Sequence, residues 1–549
     1  MTEERTLRLP RRLAAVLLLC VLAAALLAVG FWRWYPAPQP AGSPDVATDS
    51  ALALALDAAL KRGVEAAPGI AIRPLALRGD AAGATSLADN LCDALAQRLA
   101  RLPALRIVPC RSTAVAVAAE LSDEALGRLL AVRHVLAGSL EALPENRLRV
   151  RLALHDMRGG QQEWRVDEEL GLGDLQGLPS RIAQETGRAL GLPIETAAER
   201  LLDPDLYAKF LRAGELARRP VIEERRAALG LVGEVLAAEP DHLPALRLSW
   251  NLRSSLVGNL GPPGERESAA QMLATREALR RESLVLARRM IEADPLDLRG
   301  HALLLSADIQ SRQWLAAFTR LDEMLNRHAQ YPGLMRLAAR VYLHAGYVTR
   351  AGELALAAAQ LNALDAEALG VLAQVRLIEG DGPALRELMS VARQIGNDEM
   401  AYMAFLDAYR RGDWAIAERE LAAWVGKGGK WPADWVPAYA RALADPALRA
   451  DVVAQFEAQD GGTRQHFGHY FIELALLQEH ERSLKAIQHH AGQPPAAWLQ
   501  WLWLPEFAPV RAQAGFVSAA QQIGFTALWD VRGAPDACTR SASGLWTCR

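Results

Sequence analysis

The 549-residue chain lacks the short motifs that place chemistry. No nucleophile-elbow frame positions a serine, and the glycine groups at 261–264 and 426–429 lack the lysine-and-helix pattern of a Walker loop. The histidine pairs His466 with His469 and His489 with His490 do not supply the three or four converging ligands of a zinc site, so they read as surface or structural residues. A surplus of charge is also missing. Sixty-one Lys and Arg against 64 Asp and Glu leave a net charge of -3, which excludes a nucleic-acid surface and an acidic tail. The doublets Arg218-Arg219, Arg225-Arg226, Arg280-Arg281 and Arg288-Arg289 alternate with glutamates and read as solvated helix faces. β-Branched residues are sparse after the first 200, while Ala and Leu abound, which predicts a mainly helical protein. No cofactor is implied.

What is present begins with residues 13–32, LAAVLLLCVLAAALLAVGFW, twenty residues without a charge. As a helix they extend roughly 30 Å, enough to cross a bilayer. Arg5, Arg8, Arg11 and Arg12 precede the run, and Trp32, Trp34 and Tyr35 close it, which predicts a single transmembrane helix with residues 1–12 as a cytoplasmic tail. A cleaved signal peptide is the competing reading, but its apolar core is shorter. A lipoprotein would use Cys20, where Leu19 is too bulky. Residues 33–68 read as a proline-rich linker and a short helix. Beyond the span remain Cys92, Cys110, Cys538 and Cys548, an even number that permits two disulfides in an oxidising compartment, with buried free thiols as the alternative.

Residues 69–192 alternate strand and helix signals. GIAIRPLAL (69–77) and LRIVPC (105–110) read as strands around a helix over 87–102, and HVLAGSLEAL, LRVRLALHDM and EWRVDEEL as later strands before a helix near 175–190. In a β-α-β unit the start of the helix and the end of the next strand share one edge of the sheet, which brings Cys92 close enough to Cys110 to pair.

Ile72-Arg73-Pro74-Leu75, LADNLCDAL, LRIVPCRST, VRHVLAGSL and LRVRLALHDMRGG followed by Trp164 resemble successive blocks of the TolB-amino-terminal-like domain. Such domains precede tetratricopeptide repeats in bacterial membrane-anchored regulators and some adenylate-cyclase-like proteins. The resemblance implies a periplasmic interaction domain and carries no catalytic residues. Relatives often bear a cytoplasmic winged-helix or cyclase domain, for which a tail of about twelve residues leaves no room.

Residues 193–425 read as paired helices. Segments 203–240 and 242–294 form two pairs, the second interrupted by Gly261-Pro262-Pro263-Gly264. Units then start at Leu298, Pro332 and Ala366, 34 residues apart, with a fourth at Met400, the spacing of tetratricopeptide repeats. Leu305, Ala339 and Ala373, and Ala317, Ala351 and Leu385, recur in phase, and turns are expected at Gly346, Gly380 and Gly412. Asp407 stands where a small residue is expected. Residues 426–549 read as degenerate repeats and a terminal block, LPEFAPVRAQAGFVSAAQQIGFTALWDVRGAPDAC, that resembles one on the same regulators; a Cys538–Cys548 bond would tie down its end.

Nine of the fourteen tryptophans follow residue 400. Trp414, Trp424, Trp431, Trp435, Trp498, Trp501 and Trp503 are candidates for holding a partner peptide; the alternative is that they fill helix interfaces. The expected function is a non-enzymatic, inner-membrane-anchored scaffold in the periplasm that binds proteins or peptides through its solenoid and connects them to a membrane complex. A sensory receptor signalling through a separate membrane partner is the alternative, and an enzyme of unrecognised type a third.

Overall fold

The computed structural model of the chain describes residues 69–78, 84–102, 105–118, 121–130, 132–144, 147–157, 162–171, 173–193, 201–219, 221–258, 269–295, 297–328, 331–394, 400–426, 434–460, 470–492 and 498–549. All of them belong to the compact unit Leu56–Arg549. The tail, span and linker expected over 1–68 lie outside the described residues, among which no helix is long and apolar enough to cross a membrane. The described part is mainly helical with a small sheet region.

Strands β1 (Gly69–Ile72), β2 (Ala76–Arg78), β3 (Arg106–Val108), β4 (His134–Leu143), β5 (Arg147–Asp156) and β6 (Gln162–Gly171) form one sheet in the order β3-β1-β4-β5-β6. The first expected strand is split. Pro74 has no amide hydrogen for the ladder, so β1 pairs with the first residues of β4 and β2 with residues 139–141 of the same strand. β1 runs parallel to β3 and β4, whereas β4, β5 and β6 are antiparallel. Strand alternation decides the two faces. Leu148, Val150, Leu152 and Leu154 pack in one core with helix α1 (Ala84–Leu99). On the opposite face Arg147, Arg149 and Arg151 reach Glu169, Asp167 and Glu141 across the strands at 2.8, 2.8 and 2.9 Å. Helix α2 (Cys110–Ala118) follows β3, α3 (Asp123–Leu129) precedes β4, and α4 (Leu178–Ala189) completes the core through Leu178 and Ile182. Cys92 of α1 is bonded to Cys110 at the start of α2, with Cα atoms 6.1 Å apart.

Helix pairs follow: α5 (Pro204–Arg218) with α6 (Ile222–Ala238), α7 (Leu243–Gly258) with α8 (Ala269–Ala293), α9 (Leu298–Gln310) with α10 (Trp314–Arg327), α11 (Pro332–His344) with α12 (Val348–Leu361), α13 (Ala366–Glu379) with α14 (Gly382–Gln394) and α15 (Ala401–Arg410) with α16 (Trp414–Gly426). The 34-residue spacing is real: α9, α11 and α13 begin at Leu298, Pro332 and Ala366. The fourth first helix begins at Ala401, with Met400 as its cap. All six residues expected in phase, from Leu305 to Leu385, are buried, because helices stack closely only where side chains are small or apolar. Asp407 is buried too, satisfied by Arg386 at 2.9 Å and Arg411 at 3.2 Å.

One turn joins the two helices of each of the four units that begin at Leu298, Pro332, Ala366 and Met400. Gly346, Gly380 and Gly412 have φ of 92°, 77° and 67°, and the next residue's amide donates five residues back, Tyr347 to Tyr342 at 3.0 Å and Asp381 to Arg376 at 2.9 Å. This is the Schellman closure of a helix end. Arg312 and Gln478 adopt the same conformation at φ of 61° and 65°. Gln478 thereby extends the motif to the pair α19 (Tyr470–Leu476) and α20 (His480–Ala491), beyond α17 (Trp435–Ala444) and α18 (Arg449–Asp460).

The terminal block folds back on the middle repeats. It contains α21 (Ala508–Arg511), α22 (Ala514–Ile523), α23 (Phe525–Arg532) and the hairpin β7 (Cys538–Arg540) and β8 (Trp546–Cys548), in which Cys538 is bonded to Cys548. Trp503 and Trp529 donate their indole N–H groups to the carbonyls of His344 and Ala345, each at 3.1 Å. Those carbonyls end α11 and have no intrahelical partner of their own, which is why tryptophan rather than phenylalanine suits both places. Trp314 makes the reciprocal bond to Ile523 O at 2.9 Å.

Gly346 and Gly380 separate backbone strain from packing. A Cβ at Gly380 would meet no atom within 4 Å, but one at Gly346 would lie 2.8 Å from Trp503 Cζ2. Gly380→Ala should therefore cost about 1–2 kcal/mol from left-handed strain alone, and Gly346→Ala clearly more. Thermal midpoints of the two variants test this; equal shifts would mean that the Trp503 contact contributes nothing.

Candidate functional site

The first helices of successive pairs face helix α1 of the α/β domain across a groove of about 1860 Å³. That exceeds the roughly 300–1,000 Å³ of small-molecule pockets and suits a polypeptide segment. Arg106 at the start of β3 holds the two sides together. It is 3% exposed and donates to Leu130 O at 3.0 Å and to Leu361 O, at the end of α12, at 2.6 Å. Asn362 adds a bond to Ser112 at 2.9 Å. Further along, Arg101 pairs with Asp294 at 2.7 Å, Arg218 with Asp89 at 2.6 Å, and Arg247 reaches both Gln97 and Asp297. Asp297 is itself built into the scaffold, since its carboxylate caps α9 through Gly300 N at 2.6 Å.

The groove walls carry cations whose neutralisation is incomplete. Arg299 donates to the neutral amide of Asn251 at 3.2 Å and lies over the Trp250 ring at 5.5 Å. Arg340 stands 3.7 Å from Glu367, a carboxylate that Arg336 also contacts. Solvent reaches both, yet the surrounding walls desolvate them. That crowding, followed by the nearby charge of Arg247 or Arg336, lowers the pKa of Arg299 and Arg340. Desolvation likewise raises the pKa of Asp93 on α1. None of these groove residues stood out in sequence, where arginines one helix pair apart carry no fixed spacing. Arg218, read there as part of a solvated face, is exposed and also bridges to Asp89 of α1.

The structure disperses the tryptophans. Trp498, Trp501 and Trp503 are 7%, 6% and 3% exposed and fill interfaces within the carboxyl-terminal half, Trp498 against Phe471 and Trp501 against Tyr402. These three are therefore not presented to a partner. Trp424 and Trp435 are half-buried, against Tyr402 and Phe456. Trp414 is 37% exposed beside Tyr409. None of them lines the groove. Trp431, His466 and His469 lie outside the described residues. His489 and His490 contact one another, and His490 packs on Trp498.

The chain matches no family model and no curated protein.

Among the described residues, the most perturbed acid sits away from the groove. Glu473 on α19 is fully buried, accepts from Tyr402 OH at 2.8 Å, and burial pushes its carboxyl up to about 8. Tyr439 OH donates to the Glu473 carbonyl at 3.3 Å, and burial raises both phenols. His344 is driven down to about 4 by the same desolvation. Such groups mark a candidate active site only where a cleft exposes them, and this cluster is packed inside the helical array. Its consequence is for stability. Below about pH 4.5 Glu473 is protonated folded and unfolded; between there and about 8 the unfolded state binds fewer protons, so stability declines as pH rises, on the order of 1 kcal/mol per unit. Glu473→Gln removes that titration. Denaturation series at pH 5 and pH 8 should show the substituted protein losing less stability between them; parallel curves would refute the assignment.

Proposed function

We propose that this chain is a non-enzymatic scaffold, anchored in the bacterial inner membrane by residues 13–32, whose periplasmic repeat array holds an extended, acidic segment of another protein. The observation that carries the reading is the groove between α1 and the first helices of the pairs, large enough for a polypeptide segment and lined by Arg299, bonded to a neutral amide, and Arg340, 3.7 Å from a carboxylate it shares with Arg336. Stacked helix pairs provide extended binding surfaces of this kind. The resemblance of residues 69–192 to TolB-amino-terminal-like domains, and of 193–425 to tetratricopeptide repeats, supports an interaction role on the exported side. Connection to a membrane complex follows from the anchor.

A photocrosslinker placed at Leu303 or Leu337, which line the groove, in the full-length protein in intact cells should capture a partner that a probe at exposed Leu356 on α12 does not. Charge reversal of both Arg299→Glu and Arg340→Glu should reduce that capture about tenfold or more, since like charges across an interface cost several kcal/mol. Capture from Leu356 as strong as from the groove, or indifference to charge reversal, would refute the reading.

A further inference from the structure

Three side chains outside the groove converge at one end of the sheet. His134 opens β4, Asp156 closes β5 directly opposite it in the register, and Glu163 lies at the start of β6, where the pairing shifts at Leu154 and His155. Each offers a ligand atom, and the three atoms lie within 4.8 Å of one another. His134 is 1% exposed, and neither of its ring nitrogens has a hydrogen-bond partner. A buried polar group left unsatisfied is costly, so this imidazole calls for a ligand. Its Nε2 is 3.8 Å from Glu163 Oε1, too far for a hydrogen bond. Two bonds of about 2.0–2.2 Å to one metal ion separate their ligand atoms by about 3.4 Å at a tetrahedral angle. The observed gap is therefore nearer to a shared ion than to a direct bond.

We infer that His134, Asp156 and Glu163 bind a divalent transition-metal ion. One imidazole and two carboxylates suit zinc, manganese or iron better than calcium or magnesium, which take oxygen ligands alone. Arg133 grips Asp156 Oδ2 through Nε at 3.0 Å and a terminal nitrogen at 2.7 Å, orienting the carboxylate. Three protein ligands leave a position open to water or to a further donor. The ion would add a side-chain link among β4, β5 and β6 at an edge where β4 and β5 already pair through the backbone, Met157 N donating to Arg133 O at 2.7 Å.

The test uses the full-length protein, stripped with a chelator and titrated with Zn2+ alone, the bound metal counted by mass spectrometry after equilibrium dialysis. One high-affinity zinc per chain is expected. Co2+ in its place should give visible d–d absorption from a site with nitrogen and oxygen donors. His134→Gln should abolish the site. Glu163→Gln, at an exposed position, should weaken it by about tenfold or more, since even groups that merely support ligands are worth 10–100-fold. A variant with His489→Gln and His490→Gln should bind as the parent does. Failure of the parent protein to bind zinc or cobalt, or binding unchanged by Glu163→Gln, would overturn the assignment.

Discussion

The guanidinium of Arg106 is the constraint on which the arrangement of sheet and repeats depends. A cation 3% exposed loses most of its hydration, and the fall of its pKa to about 10 records that loss. It nevertheless remains charged at neutral pH. Backbone carbonyls replace the water, among them Leu130 O within the α/β domain and Leu361 O at the end of α12. Separating the two parts would return Arg106 and Leu361 O to solvent together. With the two parts docked, α1 is held opposite the first helices, and the ion pairs of Arg101, Arg218 and Arg247 close along the same seam.

The repeat frame was legible in the residues because small side chains are demanded wherever helices approach closely. Leu305, Ala339 and Ala373 announce that demand every 34 positions, and the glycines at 346, 380 and 412 announce the left-handed turn. Where the turn is made by Arg312 or Gln478, no glycine marks it, and α19 with α20 looked degenerate while repeating the same closure. The strands of the α/β domain were legible from alternation, and the Cys92–Cys110 bond from crossover geometry.

What sequence could not convey was everything created by docking distant parts. The groove exists because α1 faces helices more than a hundred residues away, and no local pattern encodes that. The same holds for His134, Asp156 and Glu163, which strand register alone brings together. Tryptophans illustrate the limit from the other side. A surface anchor and a buried filler have the same residue identity, and only the acceptor carbonyls of His344 and Ala345 reveal why Trp503 and Trp529 stand where they do.

Repeat arrays ordinarily fold by adding each unit to its neighbour, with no unit waiting for a remote one. Here the junction of α11 and α12 is completed by Trp503, 159 residues beyond His344, and by Trp529, 184 beyond Ala345. During synthesis at about 5–20 residues per second, the middle of the array therefore spends on the order of ten seconds or longer as a nascent structure with an apolar seam uncovered and two carbonyls unclasped. Chaperones and proteases see that seam in any chain arrested before residue 503, and lose sight of it when the clasp closes.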